Sequence, residues 1–203
     1  ERISLYADDI LLYLTRTDSS LVRLKDIFQI HGRYSGFKIN WDKSLLFPMG
    51  GWSSSGELPL PLRVEKDKFK YLGIWITRGE TGVVAENLQP LLARLEGDVK
   101  HWAKLPLSLM GRAAMLKMVA LPQLVYVLQN CPYKIQEEIF TKIDAQVRTL
   151  LWAGKQPRIA MSVLQRSKYE GGIALPNVRK YYEAAQIIMV NEWAYGGLQE
   201  PAY

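Results

Sequence analysis

The chain has 203 residues, nearly half of them hydrophobic, enough for one or two folded domains and against a disordered or low-complexity chain. A single cysteine, Cys131, excludes an internal disulfide, and with two histidines it leaves no material for a His/Cys zinc site, so a reducing, intracellular compartment is expected. The net charge is +6, and residues 81–203 hold +4 of it (14 Lys+Arg minus 10 Asp+Glu), a balance compatible with a nucleic-acid partner but equally with an ordinary solvated surface.

The apolar runs are too short to cross a bilayer, no basic-then-apolar leader opens the chain, and no membrane partner is expected. The first residue is Glu and a strand pattern begins at once, from which the chain is expected to be cut from a longer one.

In "ERISLYADDILLYLT", residues 3–7 and 10–14 read as two short strands joined at Asp8-Asp9. Asp18, Ser19 and Ser20 then offer N-caps to an amphipathic helix of roughly four turns, with Leu21, Leu24, Phe28 and His31 at three- and four-residue intervals and Gly36 at the C-cap. "FKIN" (37–40) and "SLLFPM" (44–49) read as a second extended pair around Trp41-Asp42-Lys43. Residues 50–62, rich in Gly, Ser and Pro, read as a loop, and "KFKYLGIWITRG" as a third extended pair centred on Gly73.

After residue 82 the pattern turns helical. "VVAENLQPLLARLEGDVKHWAKL" is one helix. "PLSLMGRAAMLKMVAL" is a second, with Ser108 as N-cap and Pro122 as a stop. Ile135, Ile139, Ile143 and Val147 recur four apart in a third, and Asn177 caps a last one after a loop through Pro157 and Gly171-Gly172. The fold class is α+β, antiparallel hairpins plus a helix followed by an all-helical part, with a boundary near residue 80.

Adjacent aspartates at a hairpin tip are ordinary turn chemistry. Here both flanking strands read as apolar on both faces, so the hairpin is expected to be sandwiched. Two ionised carboxylates in such a place repel one another and lose hydration, and a divalent cation, Mg²⁺ in particular, offsets both costs.

"YADD" between apolar strands resembles the catalytic turn of reverse transcriptases, and the later segments resemble the non-LTR (LINE-type) branch. "SGFKINWDKS" is similar to the segment after the catalytic hairpin, and "FKYLGIWI" to the primer-gripping hairpin that ends the palm. "PLSLMGRAAMLKMVALPQLVYVLQ" and "WAGKQPRIAMSVLQRSKYEGGIALPNVRKYYEAAQ" are similar to the thumb and to the region next after the thumb. The resemblance implies the C-terminal part of an RNA-directed DNA polymerase: residues 1–80 the end of the palm, 81–153 a helical thumb, 154–203 a helical connector. It implies two-metal nucleotidyl transfer with Mg²⁺ on Asp8 and Asp9, a further aspartate lying outside this chain. The partners implied are an RNA template, a DNA primer and a dNTP, and the location is nuclear.

By the same resemblance Tyr6 and Ala7 lie along the primer terminus, and Lys43, with Lys38 as runner-up, is a cation near the leaving pyrophosphate. Phe69, Tyr71, Leu72 and Gly73 form the primer grip, where a glycine inside a strand marks close approach of another backbone. Arg112, Lys117, Lys155, Arg158 and Lys168 are candidate phosphate contacts, with Arg112 and Lys117 too far apart for one helix stripe. Trp102, Trp152, Trp193, Met110, Met115 and Met118 read as core, and His31 and His101 carry no functional role. The competing readings are a non-catalytic nucleic-acid-binding or structural remnant, and an unrelated Mg²⁺-dependent nuclease.

Overall fold

A computed structural model describes residues 2–52, 57–131 and 134–195. Residues 53–56 of the expected loop and the side chain of Trp193 lie outside this description. The chain separates into two compact units, Glu1–Phe69 and Lys70–Tyr203, a division earlier than the boundary read from the sequence.

The first unit opens with strands β1 (Arg2–Tyr6) and β2 (Asp9–Tyr13), paired antiparallel from Arg2↔Tyr13 to Tyr6↔Asp9. Helix α1 (Thr17–Ser35) comes next and ends at Gly36 with φ 72°. Its N-cap is Arg16 with no side-chain cap, in place of the expected Asp or Ser, and Leu21 is its buried anchor. Phe28 meets Trp41 edge-on at 6.1 Å and His31 meets Phe37 at 5.7 Å.

The expected pairing of 37–40 with 44–49 does not form. Asn40 captures the chain between them: its side-chain oxygen accepts from the Lys43 N–H (3.2 Å), and its carbonyl accepts from the Ser44 N–H (3.0 Å) and hydroxyl (2.8 Å). Such local bonds compete with a ladder and turn the chain away. Strand β3 (Leu45–Leu46) instead pairs parallel with β4 (Arg63–Val64).

Strands β5 (Lys68–Tyr71), inside which the unit division falls, and β6 (Ile74–Thr77) are joined by Leu72-Gly73. Both turn residues have positive φ, 47° and 85°, the type I′ arrangement that matches strand twist. Gly73 is therefore a turn glycine and not a mid-strand one. A Cβ there would meet the Tyr126 ring only at ordinary contact, 3.8 Å, so the backbone angle and not space requires glycine.

The helices of the second unit share one core. They are α2 (Glu80–Trp102), α3 (Leu109–Met115), a π-helical turn (Leu116–Ala120), α4 (Leu121–Asn130), α5 (Glu137–Trp152), the short α6 (Met161–Leu164) and, after a 3₁₀ turn (Lys168–Glu170), α7 (Val178–Tyr195). Leu88, Val99, Leu116, Leu124, Leu128, Ile143 and Leu150 are its fully buried centre. The stripe Ile135, Ile139, Ile143, Val147 is buried as its spacing requires. Cys131 belongs to this core, and burial raises its thiol pKa.

Ser108 caps α3 through the Gly111 N–H, and Asn177 caps α7 through the Lys180 N–H. Pro122 does not stop the helix. The Leu121 N–H reaches back five residues to the Leu116 carbonyl, and this π register precedes the residue that has no N–H to give. The result is one continuous helix, Leu109–Asn130, of 22 residues with an 18-residue stretch of mean hydropathy 1.2, long and apolar enough by length and composition to cross a membrane. Counting apolar runs missed that. Ala113, Leu116, Ala120, Leu124 and Leu128 place one side of it in the core of this unit.

The side chain of Asn87 ties the hairpin to the helices. Asn87 on α2, 8% exposed, accepts from the Trp75 N–H (2.8 Å) and donates to the carbonyls of Trp75 and Val83 (2.8 Å each). It completes β6 as a neighbouring strand would. Asn87→Leu leaves buried backbone groups without partners and is expected to destabilise the fold by about 2–4 kcal/mol. Asn87→Asp should also destabilise it, because a carboxylate has no N–H for either carbonyl. Urea unfolding of both variants checks this, and an unchanged midpoint with Asn87→Leu contradicts it.

Candidate active site

The strands are offset by one residue from the sequence reading, and this changes what the two aspartates are. Ala7 and Asp8 form the turn, while Asp9 is the first residue of β2, paired with Tyr6. Turn chemistry therefore explains Asp8 but not Asp9, since Asp is depleted in strands. Ala7 has φ 51° at the position where a hairpin turn favours glycine, at a cost of roughly 1 kcal/mol for an L-residue.

The register also sorts the faces. Ile3, Leu5, Ile10 and Leu12 share one face, and Arg2, Ser4, Tyr6, Asp9, Leu11 and Tyr13 share the other. Only one face is uniformly aliphatic, and the hairpin is not sandwiched: Ile3 is 59% exposed and Leu5 65%. β1 and β2 contact chiefly each other. Asp8 and Asp9 are accordingly exposed and hydrated, so burial does not drive them to take a cation. The arrangement offers hard oxygen donors next to the small Ala7, open to an incoming ligand.

Lys43 lies exposed in the Asn40 turn, on a different element from the aspartates. Lys38 lines a cavity of about 530 Å³ in the first unit, together with Lys25, Phe28, Trp41 and Leu60. Phe69 tilts against Phe47 at 4.8 Å and serves packing. Tyr71 is half-buried, and the Leu72 carbonyl accepts from the Tyr126 hydroxyl. The sequence reading missed Tyr126, whose distance of 54 positions from Leu72 leaves no local signal.

Arg112 and Lys117 are half-buried, and their head groups are engaged inside the fold. Arg112 donates to the Leu151 carbonyl at 3.1 Å, at the C-terminal end of α5, where a cation meets the helix dipole. Lys117 donates to the Ile173 carbonyl at 3.1 Å. Each bond ties two parts of the chain together. Lys155, Arg158 and Lys168 are exposed on loops and remain available to an external anion.

Trp102 is buried, 9% exposed, and Met115 packs against the core. Met110 and Met118, expected in the core, are 51% and 76% exposed because the helix turns them outward. Trp152 is half-buried, with an indole N–H that meets no acceptor.

As a Mg²⁺ site the donor chemistry fits in kind, carboxylate oxygens open to water and phosphate. It falls short in number, since among the described residues no three Asp, Glu, His or Cys side chains converge. The aspartate-bearing hairpin, α1 and the β5–β6 turn all fall within residues 1–76, the stretch that matches the family model described as reverse transcriptase (RNA-dependent DNA polymerase).

Proposed function

We propose that the chain is the C-terminal part of a LINE-type RNA-directed DNA polymerase, with residues 1–80 the end of the palm, 81–153 the thumb and 154–203 a connector. The observation that carries the reading is Asp9. It stands in a strand, where Asp is depleted, two residues after an alanine at positive φ in the turn. Local choices that work against local structure mark functional sites. The family match over residues 1–76 supports the reverse-transcriptase part of this reading, and the LINE branch rests on the motif resemblance.

Asp8 and Asp9 would hold Mg²⁺, with the remaining positions filled by water, substrate phosphate and a carboxylate from outside the described residues. Bound there, the ion supplies charge neutralisation at the phosphates and lowers the pKa of the primer hydroxyl. Ala7 leaves room for the primer terminus, and Lys43 supplies positive charge toward the leaving pyrophosphate. The open aliphatic face of Ile3, Leu5, Ile10 and Leu12 suits cover by further palm structure, since a bare apolar strand pair is a site of association. The template is RNA, the primer DNA and the substrate a dNTP, in the nucleus.

A second reading, nucleic-acid binding without catalysis, is favoured for this chain alone by the lack of a third converging ligand among the described residues. Asp8→Asn in the polymerase separates the two. It should lower templated nucleotide addition roughly 100-fold or more, several kcal/mol of charge stabilisation, with template–primer affinity changed less than about threefold. Retained extension overturns the catalytic assignment.

Salt dependence tests the second unit. Duplex affinity of the chain should fall with a slope of about 0.9 per phosphate contact in log K against log salt, and Arg158→Gln and Lys155→Gln should each lower that slope. Arg112→Gln should leave the slope alone and instead cost about 1.5–3 kcal/mol of stability, read by urea unfolding. A reversed pattern contradicts the division between structural and free cations.

A further inference from the structure

The segment Arg166–Gly172 is a tight turn that presents one aromatic ring to solvent. Its base is a short ladder: the Leu164 carbonyl accepts from the N–H groups of Ile173 (3.1 Å) and Leu175 (3.0 Å), the Arg166 carbonyl from Ala174 (2.8 Å), and the Ser167 carbonyl from Gly172 (2.9 Å). Above it the 3₁₀ turn is closed by a capping box. The Ser167 hydroxyl accepts from the Glu170 N–H, and the Glu170 carboxylate accepts from the Ser167 N–H (3.1 Å) and hydroxyl (2.8 Å). Gly171 closes the turn with φ 80°. At Gly172 a Cβ would stand 2.1 Å from the Arg166 carbonyl oxygen, so the two backbones meet more closely than any side chain permits. From below, Lys117 holds the Ile173 carbonyl.

On this braced loop Tyr169 is fully exposed, at 102%. Exposed aromatics are common singly. The setting is what differs here. Arg166 and Lys168 precede the tyrosine on the same turn, both exposed, and neither finds an ion-pair or hydrogen-bond partner for its side chain among the described residues. The turn's single acid, Glu170, spends its carboxylate on Ser167 and neutralises neither cation. No aliphatic side chain stands in Arg166–Gly172 itself.

We propose that this turn is a stacking finger for single-stranded nucleic acid: Tyr169 stacks on an unpaired base, and Lys168 and Arg166 meet the flanking phosphates. A rigidly carried, fully exposed ring preceded on the same turn by two free cations offers a stacking face beside phosphate contacts, and stacking tolerates any base. The inference rests on the nucleic-acid reading above but not on catalysis at Asp8, because binding at the turn and nucleotide addition at the hairpin are read by separate assays.

The test measures affinity of the whole 203-residue chain for fluorescent oligo(dT) and oligo(U), with heparin as a polyanion without bases. Tyr169→Ala should weaken oligonucleotide binding on the order of tenfold while heparin binding stays as it was. Tyr169→Trp should restore the affinity, and Tyr34→Ala, removing another highly exposed tyrosine (90%) on α1, should change nothing. Lys168→Gln and Arg166→Gln should each lower the salt slope by about 0.7, the single-strand value. Unchanged oligonucleotide affinity in Tyr169→Ala overturns the proposal, as does an equal loss toward heparin, which would make the turn a charge patch only.

Discussion

A two-stranded hairpin is marginal in water, and what fixes the β5–β6 pair is the amide of Asn87. One side chain supplies both an acceptor and a donor to the same residue of β6, so Trp75 is paired as if a third strand lay beside it. The same amide bonds back to the Val83 carbonyl within α2, which locks its own rotamer. At the other end the Tyr126 hydroxyl holds the Leu72 carbonyl in the turn. The hairpin is thus tied at its side and its tip to helices that share a core. Each tie satisfies a backbone group that a lone hairpin would leave to solvent.

The β1–β2 hairpin has the same plan without those ties. Both turns contain two residues after a tyrosine, and both place a non-glycine residue, Ala7 or Leu72, at positive φ. In β5–β6 the strain at Leu72 is balanced by the Tyr126 hydrogen bond and the glycine beside it. In β1–β2 the ladder holds Ala7, and Ile3 and Leu5 on the aliphatic face are exposed. A strained turn persists when its surroundings over-determine it. Among the described residues, the hairpin bearing the aspartates is therefore the less supported of the two.

Elements with one strong local signal were legible in the sequence. The isoleucine stripe of α5, the Ser108 and Asn177 caps and the glycine ending α1 each depend on neighbours within a few positions. What was not legible depends on distance or register. Pro122 reads as a stop until a π turn ahead of it changes which carbonyls need donors. Leu45–Leu46 pairs with Arg63–Val64 because Asn40 diverts the nearer candidate. Among the site residues, the adjacent acids were legible, but which one forms the turn was not, since a one-residue shift moves every side chain to the opposite face. What leaves the pair exposed is packing, since neither strand of the hairpin is covered.

The cations of the second unit show the same limit. Its charge says little until each residue is placed. Lys100 and Arg94 face acids one helical turn away on α2, and Arg179 makes a two-pronged pair with Glu137 while lying over the Phe140 ring at 5.1 Å. These pairs are local and largely cancel as seen from afar, each worth little on an exposed surface. Arg112 and Lys117 spend their charge on carbonyls inside the fold. Lys155, Arg158, Arg166 and Lys168 are exposed, the last two on a turn whose backbone is bonded. A polyanion meets the last group first. Lys117 connects the two kinds, because its bond to Ile173 braces the turn that carries Lys168 and Tyr169 outward. A half-buried cation can thus fix where exposed ones stand, which is its part in the proposed anion contacts.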